Sequence, residues 1–202
     1  ELISIQFMES SSGSILKGIS VKNTGSWTAV QIGTNNGTIN IDMESCHIMD
    51  NMQKGIYIYD QAIVNITDCI ISNNGGNGIE VYSDNVNQIS NLAINNSIIN
   101  NNSDVGIYCI RTNLTINNST ISNNSEYNDG NQYEHAAGIY WDFASSQWGT
   151  LLLDNINIIN NNGTGLKTGT DDNTNTTLNN VTISGNKYRG IDGLKNATLD
   201  NC

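Results

Sequence analysis

One pattern comes round seven times in this chain, and an eighth copy begins at Leu199. Counted from an aliphatic first position, it reads Φ-x-x-small-x-Φ-x-x-Asn-x-x-x-Gly-Φ. The first positions are Leu16, Met43, Ile66, Ile94, Ile116, Leu153, Leu178 and Leu199. Five residues on come Val21, Ile48, Ile71, Ile99, Ile121, Ile158 and Ile183. Eight residues on stand Thr24 and then Asn51, Asn74, Asn102, Asn124, Asn161 and Asn186. Four beyond the Asn comes Gly55, Gly78, Gly106, Gly165 or Gly190, and in one copy the gap is fourteen, Asn124 to Gly138. Units this short cannot bury an apolar face alone and must stack on one another. The repeat fixes an architecture and leaves function open, because a solenoid is a scaffold that carries sites.

Each unit holds short runs in which apolar and polar residues alternate, such as Ile94–Ile99 and Ile107–Ile110. Alternation enriched in Ile and Val predicts strands. Since the units superpose, each strand is expected to pair in parallel with its equivalent one coil later. The result is a parallel β-helix rising about 4.8 Å per coil, with about eight coils. First, fourth and sixth positions point inward; the fourth reads Ile19, Cys46, Cys69, Ser97, Ser119, Ile156, Val181 and Cys202. The ninth-position Asn is expected at a tight turn where left-handed geometry is tolerated, stacked coil on coil and bonded to backbone. A second Asn column sits at the third position: Asn96, Asn118, Asn155, Asn180 and Asn201. The recurrent Gly is expected to supply a positive φ or a tight bend. The absence of Pro fits unbroken ladders, in which every backbone donor is needed.

The Ile-x-Asn-Ser-x-Ile-x-x-Asn runs at Ile94–Asn102 and Ile116–Asn124 are each followed by Gly-Ile. In this the chain resembles the right-handed parallel β-helix repeat proteins of the pectate-lyase-like class, over nearly its whole length. The resemblance implies an all-β, single-stranded, right-handed parallel β-helix with one loop insertion and no caps. That class includes pectin-cleaving enzymes, phage tail proteins and Asn-rich surface adhesin-like proteins of bacteria and archaea. The composition is most similar to the last group: 36 of 202 residues are Asn.

A net charge of −11 with eight Lys and Arg leaves no basic footprint for nucleic acid. No apolar run is long enough to insert in a membrane. The chain is read as one domain, 1–202, beginning partway round a coil and ending mid-motif. Glu1 is an unusual first residue, so a processed or excised segment is expected. Leu2 and Ile3 at one end, and Leu199 and Cys202 at the other, are therefore candidate assembly residues, through which a solenoid would continue or self-associate. Twelve Asn head N-x-[ST] sequons, a number an Asn- and Thr-rich sequence reaches by chance. Asn36 and Asn162, in expected loops, are the glycosylation candidates in a secreted chain. Cys46 and Cys69 share the fourth position in consecutive coils, about 4.8 Å apart, which a disulfide tolerates. In-register side chains point the same way, so a ladder of free core thiols is expected. No C-x-x-C spacing points to zinc.

Two places could carry chemistry. The insertion, 125–137, brings Tyr127, Tyr133, Glu134 and His135, and its coil runs on through Tyr140-Trp141-Asp142-Phe143 to Trp148. Aromatic rings beside carboxylates and amides can stack on sugars and direct hydrogen bonds to hydroxyls. The plainer account is a loop whose rings cover an irregular coil. Asp171 and Asp172, in a second loop, are weak Ca²⁺ candidates by their oxygen ligands. Pectin-hydrolysing relatives carry an Asp-Asp pair, but also Gly-His-Gly and Arg-x-Lys. Here His47 and His135 lack flanking Gly, and Arg111 and Arg189 lack the Lys partner. No cofactor and no catalytic residue is expected. A flat outward Thr array for ice is not present at the fifth position, Ser20 to Thr182. The sequence is thus read as a non-enzymatic extracellular, cell-surface β-helix, structural or adhesin-like, with a glycan or cell-surface ligand as partner. A carbohydrate-binding or polysaccharide-cleaving β-helix is the alternative.

Overall fold

The computed structural model describes residues 4–33, 37–82, 88–125, 136–143, 149–169 and 174–202. They wind into coils of three arms. The first arm builds an eight-stranded sheet: Ile5–Phe7, Thr28–Gly33, Lys54–Tyr59, Ile79–Tyr82, Ile107–Ile110, Ala137–Asp142, Thr164–Thr168 and Ile191–Asp192. The second and third arms share a 13-stranded sheet. In early coils these two arms are separate strands, such as Ala62–Thr67 and Ile70–Ser72. In late coils they fuse, as in Gly149–Ile159 and Thr174–Ser184. Neighbours pair in parallel and in register, so Ile66, Ile94, Ile116 and Leu153 form one column.

The inward columns are as the spacing predicts. Ile48, Ile71, Ile99, Ile121 and Ile158 are fully buried, each stabilising by about 1.5–3 kcal/mol relative to exposure. Cys46, Cys69, Ser97, Ser119, Ile156 and Val181 fill the fourth position. Four expected core residues depart from this. Ile183 is half-buried, and Ile19 and Leu199 are 41% and 49% exposed. Leu199 has Leu178 as its register partner. Cys202 is exposed too, its thiol against the Leu178 and Asp200 carbonyls.

The coil corners explain much of the Asn content. Left-handed φ recurs at the third position, in Ser45, Asp68, Asn96, Asn118, Asn155, Asn180 and Asn201. It recurs again at the eighth, in Asn23, Asp50, Asn73, Asn101, Asn123 and Asn160. Asn and Asp tolerate this region because their short polar side chains bond locally. The expectation had placed the left-handed turn at the ninth position, and the structure moves it one residue earlier. That shift turns the ninth-position Asn inward.

Asn51, Asn74, Asn102, Asn124 and Asn161 are buried and form the expected ladder. Each Nδ2 donates to the Oδ1 of the next coil's Asn at 2.8–3.1 Å. It also donates to a carbonyl one coil back, as from Asn102 to Ile71. Each Oδ1 accepts the backbone N–H of the preceding Asn.

The recurrent glycines serve this ladder rather than a positive φ. A Cβ on Gly106 would stand 2.6 Å from the Gly138 carbonyl oxygen, 2.7 Å from Asn124 Nδ2 and 3.0 Å from Ile121 Cγ2. Gly55, Gly78, Gly138 and Gly165 meet the same kinds of atom at similar distances. The Gly is required by close approach of the next coil, not by dihedral freedom. Cys46 and Cys69 stack as free thiols, with the Cys46 N–H donating to Cys69 Sγ at 3.3 Å. Burial pushes the Cys69 thiol up to about 11 and raises Cys109 further.

Candidate functional site

The outward face of the first sheet carries the chemistry. Side chains alternate along its strands, so the residue two beyond each recurrent Gly or its equivalent points out. Register aligns these residues into one axial column: Gln6, Gln31, Tyr57, Glu80, Tyr108, Tyr140, Lys167 and Asp192. Two residues further along lies a second column, Gly33, Tyr59 and Tyr82. The Tyr59 ring lies against the Gly33 backbone, 2.5 Å from where a Cβ would stand.

The rings are organised among themselves. Tyr57 and Tyr59 stack with centroids 5.8 Å apart, and Tyr108 and Tyr140 stack at 5.0 Å with planes 8° apart. Trp27 meets Tyr57 edge to face at 4.8 Å. Lys54 places its ammonium 3.7 Å from the Trp27 centroid and 4.8 Å from that of Tyr57. The same ammonium pairs with Glu80 at 2.7 Å, and Asn77 Nδ2 donates to the other Glu80 oxygen at 2.6 Å.

The two halves of the face differ in cover. Trp27 is 52% and Tyr82 37% exposed. Tyr140, by contrast, is buried together with Val105, Ile110 and Ala137, and Tyr108 packs against this group. Burial pushes the Tyr108 phenol up to about 12, assisted by Tyr140, Glu80, Asp142 and Tyr82. Trp141, the residue between Tyr140 and Asp142, points inward instead and donates its indole N–H to the Thr112 carbonyl at 2.7 Å. Phe143 is likewise fully buried.

Most candidates from the sequence fall elsewhere. Tyr127, Tyr133, Glu134, His135, Trp148, Asp171, Asp172, Asn36, Leu2 and Ile3 lie outside the described residues. The residues that bracket the insertion are described: Ser125 Oγ donates to the Ala137 carbonyl at 2.9 Å. Asn162 is half-buried, with its N–H on the Asn124 carbonyl. Asn101 and Asn123, which also head sequons, are more exposed. Among the described residues no group of three His, Cys, Asp or Glu is placed to hold a metal.

The sequence reading missed the tyrosine column. Its signal was present in the second residue after each Gly: Gly55-Ile56-Tyr57, Gly78-Ile79-Glu80, Gly106-Ile107-Tyr108 and Gly138-Ile139-Tyr140. Comparison with known proteins places the coil. Residues 3–94 match the family model described as the right handed beta helix region. The structure is similar to the mannuronan C-5 epimerase AlgE6 A-module of Azotobacter vinelandii, with a TM-score of 0.64 and 14% identity. The match covers 98% of this chain and 54% of the epimerase module, so the chain spans about half the length of that structure.

The chain folds as a right-handed parallel β-helix.

No curated protein matches it in sequence. At 14% identity the epimerase establishes the fold of this β-helix and nothing of its chemistry. The structure contains no helix long and apolar enough to cross a membrane among the described residues.

Proposed function

We propose that this β-helix is an extracellular, adhesin-like polysaccharide-binding module, and that its ligand lies along the outward face of the first sheet. The observation that carries this is the open part of the axial column, Gln31, Tyr57 and Glu80, flanked by the exposed rings of Trp27 and Tyr82. Rungs repeat about every 4.8 Å, close to the length of one pyranose in an extended chain. Aromatic faces beside amides and paired charges suit a ligand with apolar C–H faces and a rim of hydroxyls. Burial pushes the Tyr108 phenol up to about 12, so it stands on this face as a neutral hydrogen-bond donor. Affinity electrophoresis in polysaccharide gels tests the reading. Wild type should be retarded in at least one gel, and a Trp27→Ala, Tyr57→Ala variant should migrate freely. Equal mobility of the two in every gel would refute it, and shortening of the polysaccharide during the run would restore the enzymatic alternative.

A further inference from the structure

We infer that the ligand of this face is a neutral polysaccharide, and that the Lys54–Glu80 pair is what excludes anionic ones. This rests on the polysaccharide-binding reading and names its substrate class. Lys54 is the cation placed among the exposed rings, where a uronate carboxylate would have to be met. Its charge is already used. The ammonium lies 2.7 Å from Glu80, and the two side chains are only 15% and 14% exposed. Its remaining directions face Trp27 and Tyr57, while Asn77 holds the second Glu80 oxygen.

A carboxylate arriving here would have to displace one already in place, with better geometry and an additional hydrogen bond. Arg189, beside the far end of the same column, pairs with Asp192 at 2.7 Å. Around these pairs the molecule carries a net charge of −11, which repels a polyanion at long range. A neutral pyranose meets none of this opposition. It can stack on the exposed part of Trp27 and offer its hydroxyls to Gln31 and the tyrosine edges. The arrangement also stiffens the platform: Lys54 and Tyr57 hold the Trp27 ring before any ligand arrives, so less side-chain freedom is lost on binding.

Glu80 is therefore a specificity-determining residue through its effect on Lys54. In Glu80→Gln the ammonium keeps its place over the rings but loses its counter-charge, and the subsite becomes cationic. The experiment is affinity electrophoresis at low and at physiological salt. The gels contain xylan or a mixed-linkage β-glucan as neutral polymers, and polymannuronate or polygalacturonate as anionic ones. Wild type should bind a neutral polymer at least tenfold more tightly than either polyuronate. Glu80→Gln should gain at least tenfold on a polyuronate at low salt and lose that gain as salt rises. The double variant Lys54→Gln, Glu80→Gln should keep the neutral preference and show no gain, which separates charge from any loss of packing. Circular dichroism checks that each variant keeps its β signal. Wild type binding a polyuronate as tightly as a neutral polymer overturns the inference while leaving polysaccharide binding intact. The same holds for a folded Glu80→Gln that shows no gain. Absence of retardation on every gel overturns the polysaccharide reading itself.

Discussion

Replacing Asn102 by Ala should destabilise the rod by about 3–5 kcal/mol, and the structure supplies the terms. Its Nδ2 donates to Asn124 Oδ1 at 3.0 Å and to the Ile71 carbonyl at 3.2 Å. Its Oδ1 accepts from the Asn74 backbone N–H at 3.1 Å and from Asn74 Nδ2 at 2.9 Å. Truncation removes all four. Asn74 Nδ2 retains the Ile48 carbonyl, and Asn124 Oδ1 retains the Asn102 N–H. The Asn74 backbone N–H loses its acceptor in a fully buried place. An orphaned buried donor costs about 1–3 kcal/mol, and each other bond about 0.5–1.5 kcal/mol net. Water entering the space left by the carboxamide offsets part of this. The assay is urea unfolding followed by circular dichroism, with amide hydrogen exchange at Asn74 as a local readout, since a solenoid can open coil by coil. Asn101→Ala is the control: it is the exposed neighbour, with φ of 54°, and the left-handed penalty for Ala is about 1–2 kcal/mol. If Asn102→Ala costs no more than this control, and Asn74 keeps its protection from exchange, the ladder is not a stabilising element and the reasoning fails.

Three further outcomes are expected. Gly106→Ala should cost about 2–4 kcal/mol, because its Cβ meets the Gly138 backbone oxygen and Asn124 Nδ2. Gly18→Ala, at φ +64 with nothing within 4 Å, should cost only the left-handed penalty of about 1–2 kcal/mol; denaturation midpoints of the pair decide the matter. Stability should fall between pH 9 and 11: the Cys69 thiol is raised to about 11 in the fold, so its contribution is complete below its unfolded value and lost as pH rises through the folded one. That step amounts to about 2–3 kcal/mol; Cys69→Ser should make the fall in a melting-temperature profile shallower, leaving the parts due to Cys109 and Tyr108, and an unchanged profile would refute the assignment. Trp141→Phe should cost about 1–2 kcal/mol by leaving the Thr112 carbonyl without the indole donor, measured in the same urea assay, while leaving polysaccharide retardation unchanged because Trp141 faces the core.

The fold was legible because its determinants repeat. Leu16 to Leu199 and Val21 to Ile183 recur with near-constant phase, and each column must be apolar to enter the core. The Asn–Gly coupling was legible as a spacing, while its cause was not. A glycine required by a neighbour's carbonyl one coil away looks, in sequence, the same as one required by its own φ. The outward tyrosine column was harder still. Solvent-facing positions need not resemble one another, so Gln31, Tyr57, Glu80, Tyr108, Tyr140 and Lys167 share no residue class. Only register shows that they form a line. Attention went instead to the insertion, where Tyr127 and Tyr133 stood out because they break the pattern.

The asparagine ladder runs in one sense, every Nδ2 donating towards the C-terminal coil from Asn51 through Asn161 to Asn186. Each coil thus offers its successor the same interface that it received from its predecessor. An in-frame duplication or loss of one whole repeat would leave the ladder bonds of every remaining junction unchanged. Rods of this design can therefore change length by recombination between repeats without any new interface having to evolve. Length becomes a heritable quantity that mutation adjusts in steps of one coil, about 4.8 Å each.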